Sequence, residues 1–152
     1  MRHIFFLSSA QQFADFALLL LRLFVGLFLI WGVMDNVSSS EHMTEFVGFL
    51  DTHGFPVPRF LAAVSVYLQL AIGVSFVLGL FTRWAGILCA IHFAIAIAMV
   101  DRHGGMRGIF PSGSLVFLGL FLATHGAGRL SIDAALRANE LPRAYGGVRL
   151  KK

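Results

Sequence analysis

Charge is scarce in this chain. Only 13% of its 152 residues are Asp, Glu, Lys or Arg, about half of the roughly 25% carried by an average soluble domain. With 57% hydrophobic residues and a mean hydropathy of +0.79, too few polar side chains remain to cover a soluble fold of this size. Such a fold keeps about 30% of its unfolded surface in water. Cysteine occurs once, as Cys89, which excludes an intramolecular disulfide, a CxxC exchange motif and a cysteine-built metal centre. A disulfide oxidase acting alone is thereby excluded. Tyr and Trp number two each against sixteen Phe, a lipid-facing aromatic profile rather than a base-stacking one. No haem-ligand pair, flavin fingerprint or cysteine cluster is visible, so any electrons must come from a partner.

What the chain does have is long apolar runs. Three are Phe16–Met34, Phe60–Leu80 and Trp84–Val100; a fourth begins near Ser114 and reaches spanning length only by continuing through Gly126 and Gly128 to Leu130. A membrane-crossing helix needs about 17–25 apolar residues, so spans are predicted at 16–34, 60–80, 84–100 and 114–130. Only Phe81, Thr82 and Arg83 separate the second from the third, which dictates an antiparallel helical hairpin. Asp101–Gly113, holding Gly104, Gly105 and Pro111, is expected to be the loop between the third and fourth. In the longest connection, Glu41–Leu50 sets Met43, Phe46, Val47 and Leu50 on one face, the pattern of a short amphipathic helix on the membrane surface. Gly54-Phe55-Pro56-Val57-Pro58 then turns the chain back, with proline at a helix start where it is tolerated. The first run is too long for a secretory signal, carries Arg22 and lacks a small-residue cleavage site. The fold expected is an all-α integral membrane four-helix bundle, one membrane domain over 1–152, with 41–50 interfacial and 131–152 a tail.

The charges sort by side. Arg2, Arg83, Arg129, Arg137, Arg143, Arg149, Lys151 and Lys152 gather at one side; Arg59, Arg102 and Arg107 lie at the other among Asp35, Glu41, Glu45, Asp51 and Asp101. The positive-inside rule then predicts cytoplasmic N- and C-termini, a cytoplasmic hairpin and an outward-facing long loop. The net charge of +4 is thus a topology signal rather than a nucleic-acid footprint.

Lipid gives helices no hydrophobic reason to associate, so small residues mark their contact faces. Gly86, Ala90, Ala94 and Ala98 form such a stripe in the third run, Ser65, Gln69 and Gly73 in the second, and Gly119, Ala123 and Ala127 in the fourth. Three polar residues interrupt the apolar runs. Arg22 lies about two turns into the first helix, where a charge costs roughly 2.5–3.5 kcal/mol on the insertion scale; it either snorkels to the headgroups or turns inward to hold an acidic or carbonyl group of a ligand. Gln69, near mid-membrane, either hydrogen-bonds across helices or meets a ligand. His92, on the side of the third helix that holds Cys89 and Ala96, is either a buried neutral histidine or a ligand- or proton-handling group. Arg22, Gln69 and His92 are the candidate cofactor-binding residues, lining one pocket. Asp35, His42, Glu45, Asp101 and His103 collect near the outer surface, but no HxxxH or HExxH spacing fixes them; they are read as solvated loop residues, and no metal is expected.

Over nearly its whole length the sequence resembles the DoxX family. The carriers are Leu21-Arg22-Leu23 with Gly26, Phe28 and Gly32; Gly54-Phe55-Pro56-Val57-Pro58; Gln69 with Gly73; Gly79-Leu80-Phe81-Thr82-Arg83; and Gly126-Ala127-Gly128-Arg129-Leu130-Ser131-Ile132-Asp133. The resemblance implies a four-helix bundle in a bacterial inner membrane that serves a quinone-linked redox complex as an accessory or anchor subunit, with other redox subunits as partners and quinone as the expected ligand. A non-catalytic scaffold or assembly subunit is the alternative, and catalysis by the chain alone is not expected. Two departures bear on this. The family favours an acidic residue where Gln69 stands and a basic one near Asp35, and an amide cannot relay protons as a carboxylate does. In the closing motif, Gly126 and Gly128 are expected to loosen or end the fourth helix. Ser131 is placed to cap a following helix, Ile132–Asn139, with Asp133 in its first turn and Arg129 towards the headgroups.

Overall fold

Leu18, Arg22, Val25, Gly26 and Leu29 recur at three- and four-residue steps along α1 (Ala14–Trp31), and these are the residues it buries. Its opposite face, including Phe16, Leu20, Phe24 and Trp31, is bare. A soluble protein would not leave such a face uncovered. The computed structural model describes residues 12–145, of which the side chains are described to Ala138. A short turn of helix, α2 (Met34–Ser38), leads to α3 (Ser40–Thr52), followed by α4 (Pro58–Leu78), α5 (Thr82–Met99), a 3-10 turn (Asp101–Gly104), α6 (Gly105–His125) and α7 (Ile132–Tyr145). Among the described residues, four stretches are long and apolar enough to cross a membrane: α1, α4, α5, and α6 together with its 3-10 lead-in. Between 17% and 28% of each apolar window is buried, so most of the apolar surface is left for lipid. This is a multi-pass membrane bundle with an all-helical fold.

Glycine sets how closely the helices approach. A Cβ on Gly26 would stand 2.7 Å from the Gly73 carbonyl oxygen, and one on Gly73 2.8 Å from that of Gly26, so α1 and α4 touch backbone to backbone. Gly86 and Gly119 make the same contact between α5 and α6, at 2.5 and 2.6 Å. Leu18, Val25, Leu29, Ile72, Phe76, Ala85, Cys89, Leu115 and Leu122 form one continuous core from all four helices. The small-residue stripe on α5 is used only in its first half: Gly86 and Ala90 are buried, whereas Ala94 and Ala98 are more open. Four-residue steps overshoot the 3.6-residue turn by about 40° each, so by Ala98 the stripe has rotated about 120° off the contact.

Several boundaries differ from the sequence expectation. The first three spans run Ala14–Trp31, Pro58–Leu78 and Thr82–Met99, each beginning and ending slightly earlier, and the hairpin residues are Gly79, Leu80 and Phe81. The fourth, expected at 114–130, is Gly105–His125 with Pro111 inside it. Proline removes one helical donor, yet the helix runs through it, and Gly108 lets the first turns pack near the Asp101 main-chain oxygen, 2.9 Å from a Cβ there. Its lower end stops at His125 because Gly126 (φ +88°) and Gly128 (φ +77°) adopt left-handed backbone. The expected amphipathic segment is α3, and Met43, Phe46, Val47 and Leu50 are its least exposed residues. The helix begins at Ser39, whose hydroxyl accepts from the His42 N–H at 3.4 Å. Ser131 caps α7, accepting from the Ala134 N–H at 3.2 Å, and the helix extends to Tyr145 rather than ending at Asn139. Of the basic residues read as topology signals, Arg2, Arg149, Lys151 and Lys152 lie outside the described residues, as does the Arg143 side chain.

Candidate functional site

α4 and α5 meet at the hairpin and, towards their other ends, line a half-open cavity of about 600 Å³, within the roughly 300–1,000 Å³ of ligand pockets. α3 and the turn after it close it over with Phe46, Phe49, Leu50 and Phe55, and Leu88 forms part of its wall. Two features of the backbone hold that cover in place. Gly54 (φ +74°) and Val57 (φ +49°) both take left-handed conformations, and a β-branched residue there is strained. The cavity is mostly apolar, and its polar residues are Ser65, Gln69, His92, Asp101 and Ser112.

Gln69 is fixed by a gap in a neighbouring helix. At the end of α1, the Val33 N–H bonds to the Ile30 carbonyl at 3.2 Å, which leaves the Leu29 carbonyl without its usual i+4 donor. Gln69 Nε2 donates to it at 3.1 Å. The amide nitrogen carries two N–H groups, so after this bond Gln69 keeps one donor and its Oε1 acceptor. His92 is half-buried, stands edge-on to Phe93 with ring centroids 4.9 Å apart, and among the described residues has no hydrogen-bond partner. Asp101, just beyond α5, has its Oδ2 buried without a partner. Along the helices, at about 1.5 Å per residue, Gln69 lies about 16 Å and His92 about 10 Å below the end where Asp101 stands.

Arg22 is not part of this cavity, contrary to the pocket expected of it together with Gln69 and His92. It is 0% exposed and lies towards the hairpin end, where Nη2 donates to the Leu130 carbonyl at 2.5 Å and Nη1 to the Phe76 carbonyl at 3.5 Å. A cation at the carbonyl-bearing end of α4 meets the negative pole of that helix, so neither snorkelling nor ligand capture describes it. Nε has no partner. Gly79, at φ +65°, leaves the space: a Cβ there would overlap Arg22 Nη1 and stand 2.6 Å from Ser131 Cβ.

The other charges at this end serve backbone groups as well, which sequence reasoning missed. Arg83, taken only as a topology signal, donates to the Ala123, Thr124 and His125 carbonyls at 3.0, 2.6 and 3.3 Å, closing the end of α6. Asp133 reaches across to the start of α5 and accepts from the Phe81 and Thr82 N–H groups at 2.9 and 3.0 Å. Its own N–H donates to the Gly79 carbonyl at 2.9 Å. The Ser75 hydroxyl donates to the Leu80 carbonyl. Asp15 accepts from the Arg129 N–H at 3.0 Å, which ties the closing motif to α1. A signal for Asp133 did exist: α5 starts at Phe81-Thr82 with no side-chain cap of its own, so an acceptor for its free N–H groups had to come from elsewhere.

Among the described residues, no group of three or more His, Cys, Asp and Glu side chains could hold a metal ion. Of the outer cluster, Asp101 alone lines the cavity. The DoxX family model matches residues 17–102, more than half of the chain. That stretch runs from α1 through α5 to Asp101 and includes Arg22, Gln69 and His92. No curated protein matches the chain, and no solved structure does.

Proposed function

The chain belongs to the DoxX family, and from that premise we propose that it is an accessory or anchor subunit of a membrane-associated, quinone-linked redox complex. The observation that supports the reading is the cavity of about 600 Å³ between α4 and α5, apolar enough for a lipophilic ring and bearing Gln69 and His92 inside the span. Those two residues are the ones that would hold a quinone, whose chemistry is the storage of two electrons and two protons. His92 and the second N–H of Gln69, whose first is engaged by Leu29, supply the available donors. Gln69 does not titrate, so proton handling falls to His92 and Asp101. In this reading the hairpin with Arg83, and α7 with Arg137, face the cytoplasm of a bacterial inner membrane, as the positive-inside rule directs.

A second reading rests on the same structure: Arg22, Arg83 and Asp133 all bind backbone, which suits a non-catalytic scaffold for other membrane subunits. Gentle purification into lipid discs, followed by mass spectrometry of the proteins retained, separates the two. A stoichiometric redox enzyme is expected, and His92→Ala is expected to lower its quinone turnover while the enzyme stays bound. If non-redox membrane subunits are retained instead, the chain is a scaffold; if no protein is retained, the accessory-subunit reading fails.

A further inference from the structure

We propose that the bundle is two copies of one helix pair, α1 with α4 and α5 with α6, and that the pairs pivot against each other about the hairpin end, changing the width of the cavity between them. The inference is independent of the redox reading, because it stands on how the four helices are tied together.

The two pairs share one construction. In each, antiparallel helices meet backbone to backbone at a glycine, Gly26 on Gly73 in the first and Gly86 on Gly119 in the second. In each, an arginine on the first helix donates to carbonyls at the end of the second, Arg22 to Phe76 and Arg83 to Ala123, Thr124 and His125. In each, the second helix is followed by a glycine at positive φ, +65° at Gly79 and +88° at Gly126. A Cβ on that glycine would meet the pair's own arginine, overlapping Arg22 Nη1 at Gly79 and standing 3.3 Å from Arg83 Nε at Gly126. The register agrees to within one residue. Arg22 precedes Gly26 by four positions and Arg83 precedes Gly86 by three; Gly73 precedes Gly79 by six and Gly119 precedes Gly126 by seven. Close backbone approach is what holds helices together in lipid, and among the described residues no glycine brings the backbone of one pair against that of the other.

The segment after α6 joins the pairs. The Arg129 N–H donates to Asp15 of α1 at 3.0 Å, the Asp133 N–H donates to the Gly79 carbonyl at 2.9 Å, and the Leu130 carbonyl accepts from Arg22. All three ties lie at the hairpin end, and among the described residues no hydrogen bond joins the pairs elsewhere. Packing follows the same gradient. The second pair buries Thr82, Ala85, Gly86, Cys89 and Ala90 on α5, and Leu115, Gly119 and Leu122 on α6, but nothing from Ile91 to Ser114. The first pair stays packed to its far end, with Ala62 and Val66 buried on the face of α4 that carries Gln69 and Gly73. The cavity occupies the gap that this leaves between α4 and the far half of α5. Segments with few buried apolar contacts open at lower free energy than the core, and packed units move as bodies about the residues that tie them. The hairpin end is therefore the fulcrum and the far ends are the jaws.

The test uses the full chain in lipid discs, with the buried Cys89 replaced by Ala and spin labels on exposed positions, read as distance distributions by dipolar spectroscopy. Trp31→Cys with Met106→Cys spans the two pairs at their free ends, and Phe16→Cys with Phe121→Cys spans them at the hairpin end. Trp31→Cys with Phe60→Cys stays within the first pair at its free end. The distribution across the free ends is expected to be about two-fold wider than either of the others, as a pivot requires. A distribution there no wider than at the hairpin end makes the bundle one rigid body and overturns the proposal. Equal width within the first pair means that the free ends fray helix by helix, and overturns it too. None of these results bears on whether a redox enzyme co-purifies, so the two proposals fail separately.

Discussion

At the hairpin end of the bundle Arg22, Arg83 and Asp133 make seven side-chain hydrogen bonds to main-chain atoms of other segments, whereas at the cavity end Gln69 makes one and His92 and Asp101 Oδ2 make none. Both ends contain polar groups inside an apolar molecule, where each unsatisfied group is costly. The first end resolves most of that cost internally, though Arg22 Nε and Thr82 Oγ1 stay buried without a partner among the described residues. Cations sit on the carbonyl ends of α4 and α6 and an anion on the amide end of α5, each on the pole of opposite sign. The second end makes few internal hydrogen bonds beside an open space, and leaves the buried Asp101 Oδ2 without a partner among the described residues. Polarity within a membrane span thus does not mark function by itself.

The sharpest way to break this contrast is at Gly79. Gly79→Ala forces an L-residue into left-handed backbone, about 1–2 kcal/mol, and unseats Arg22 from its carbonyls, about 1–3 kcal/mol more. A melting temperature lower by roughly 4–20 °C is expected in lipid discs, at about 2–4 °C per kcal/mol for this size. An unchanged melt would mean that Arg22 is not seated there. Arg22→Met, which keeps the bulk and loses the donors, is expected to cost about 1–3 kcal/mol by leaving the Leu130 carbonyl unpaired, since the Phe76 carbonyl keeps the Gly79 N–H. Tryptophan fluorescence during heating reads it, and a variant as stable as the parent would return Arg22 to the ligand-binding candidates. Asp133→Ala removes an N-cap that comes from another segment, worth about 0.5–2 kcal/mol. Amide exchange at Phe81 and Thr82 should accelerate in this variant while α6 stays protected; acceleration throughout would show that Asp133 holds the bundle as a whole.

The four spans were legible because hydropathy and length decide them, and α3 was legible because its apolar residues share one face. The fourth helix was misplaced at both ends for a local reason. Gly105, Gly108 and Pro111 are poor helix formers, and packing against α5 overrides them, while Gly126 ends the helix by its φ, which hydropathy does not register. The candidate site was half legible. Gln69 and His92 stand out as polar residues in apolar runs, and they do line one cavity. Arg22 stands out equally, but its partners, Phe76 and Leu130, lie 54 and 108 residues away, and carbonyl acceptors carry no side-chain signature. Asp101 was grouped with other outer acids because the direction of a side chain after a helix end depends on the 3-10 turn that follows, not on periodicity.

Asp101 also gives the smallest effect and the one with the opposite sign. Its carboxylate sits in the first residue of the 3-10 turn, where a negative charge gains about 0.3–1 kcal/mol from the helix dipole. Against this, Oδ2 is buried with no donor, a cost of about 1–3 kcal/mol. At mid-range the cost exceeds the gain by about 1.3 kcal/mol, so Asp101→Ala is expected to raise the melting temperature by roughly 3–5 °C at about 2–4 °C per kcal/mol. At the hairpin end every loss of a polar side chain lowers it. A fall comparable to that of Arg22→Met would show that Asp101 has a structural partner and that the two ends are built alike. A rise would mark Asp101 as a group kept at a cost to the fold.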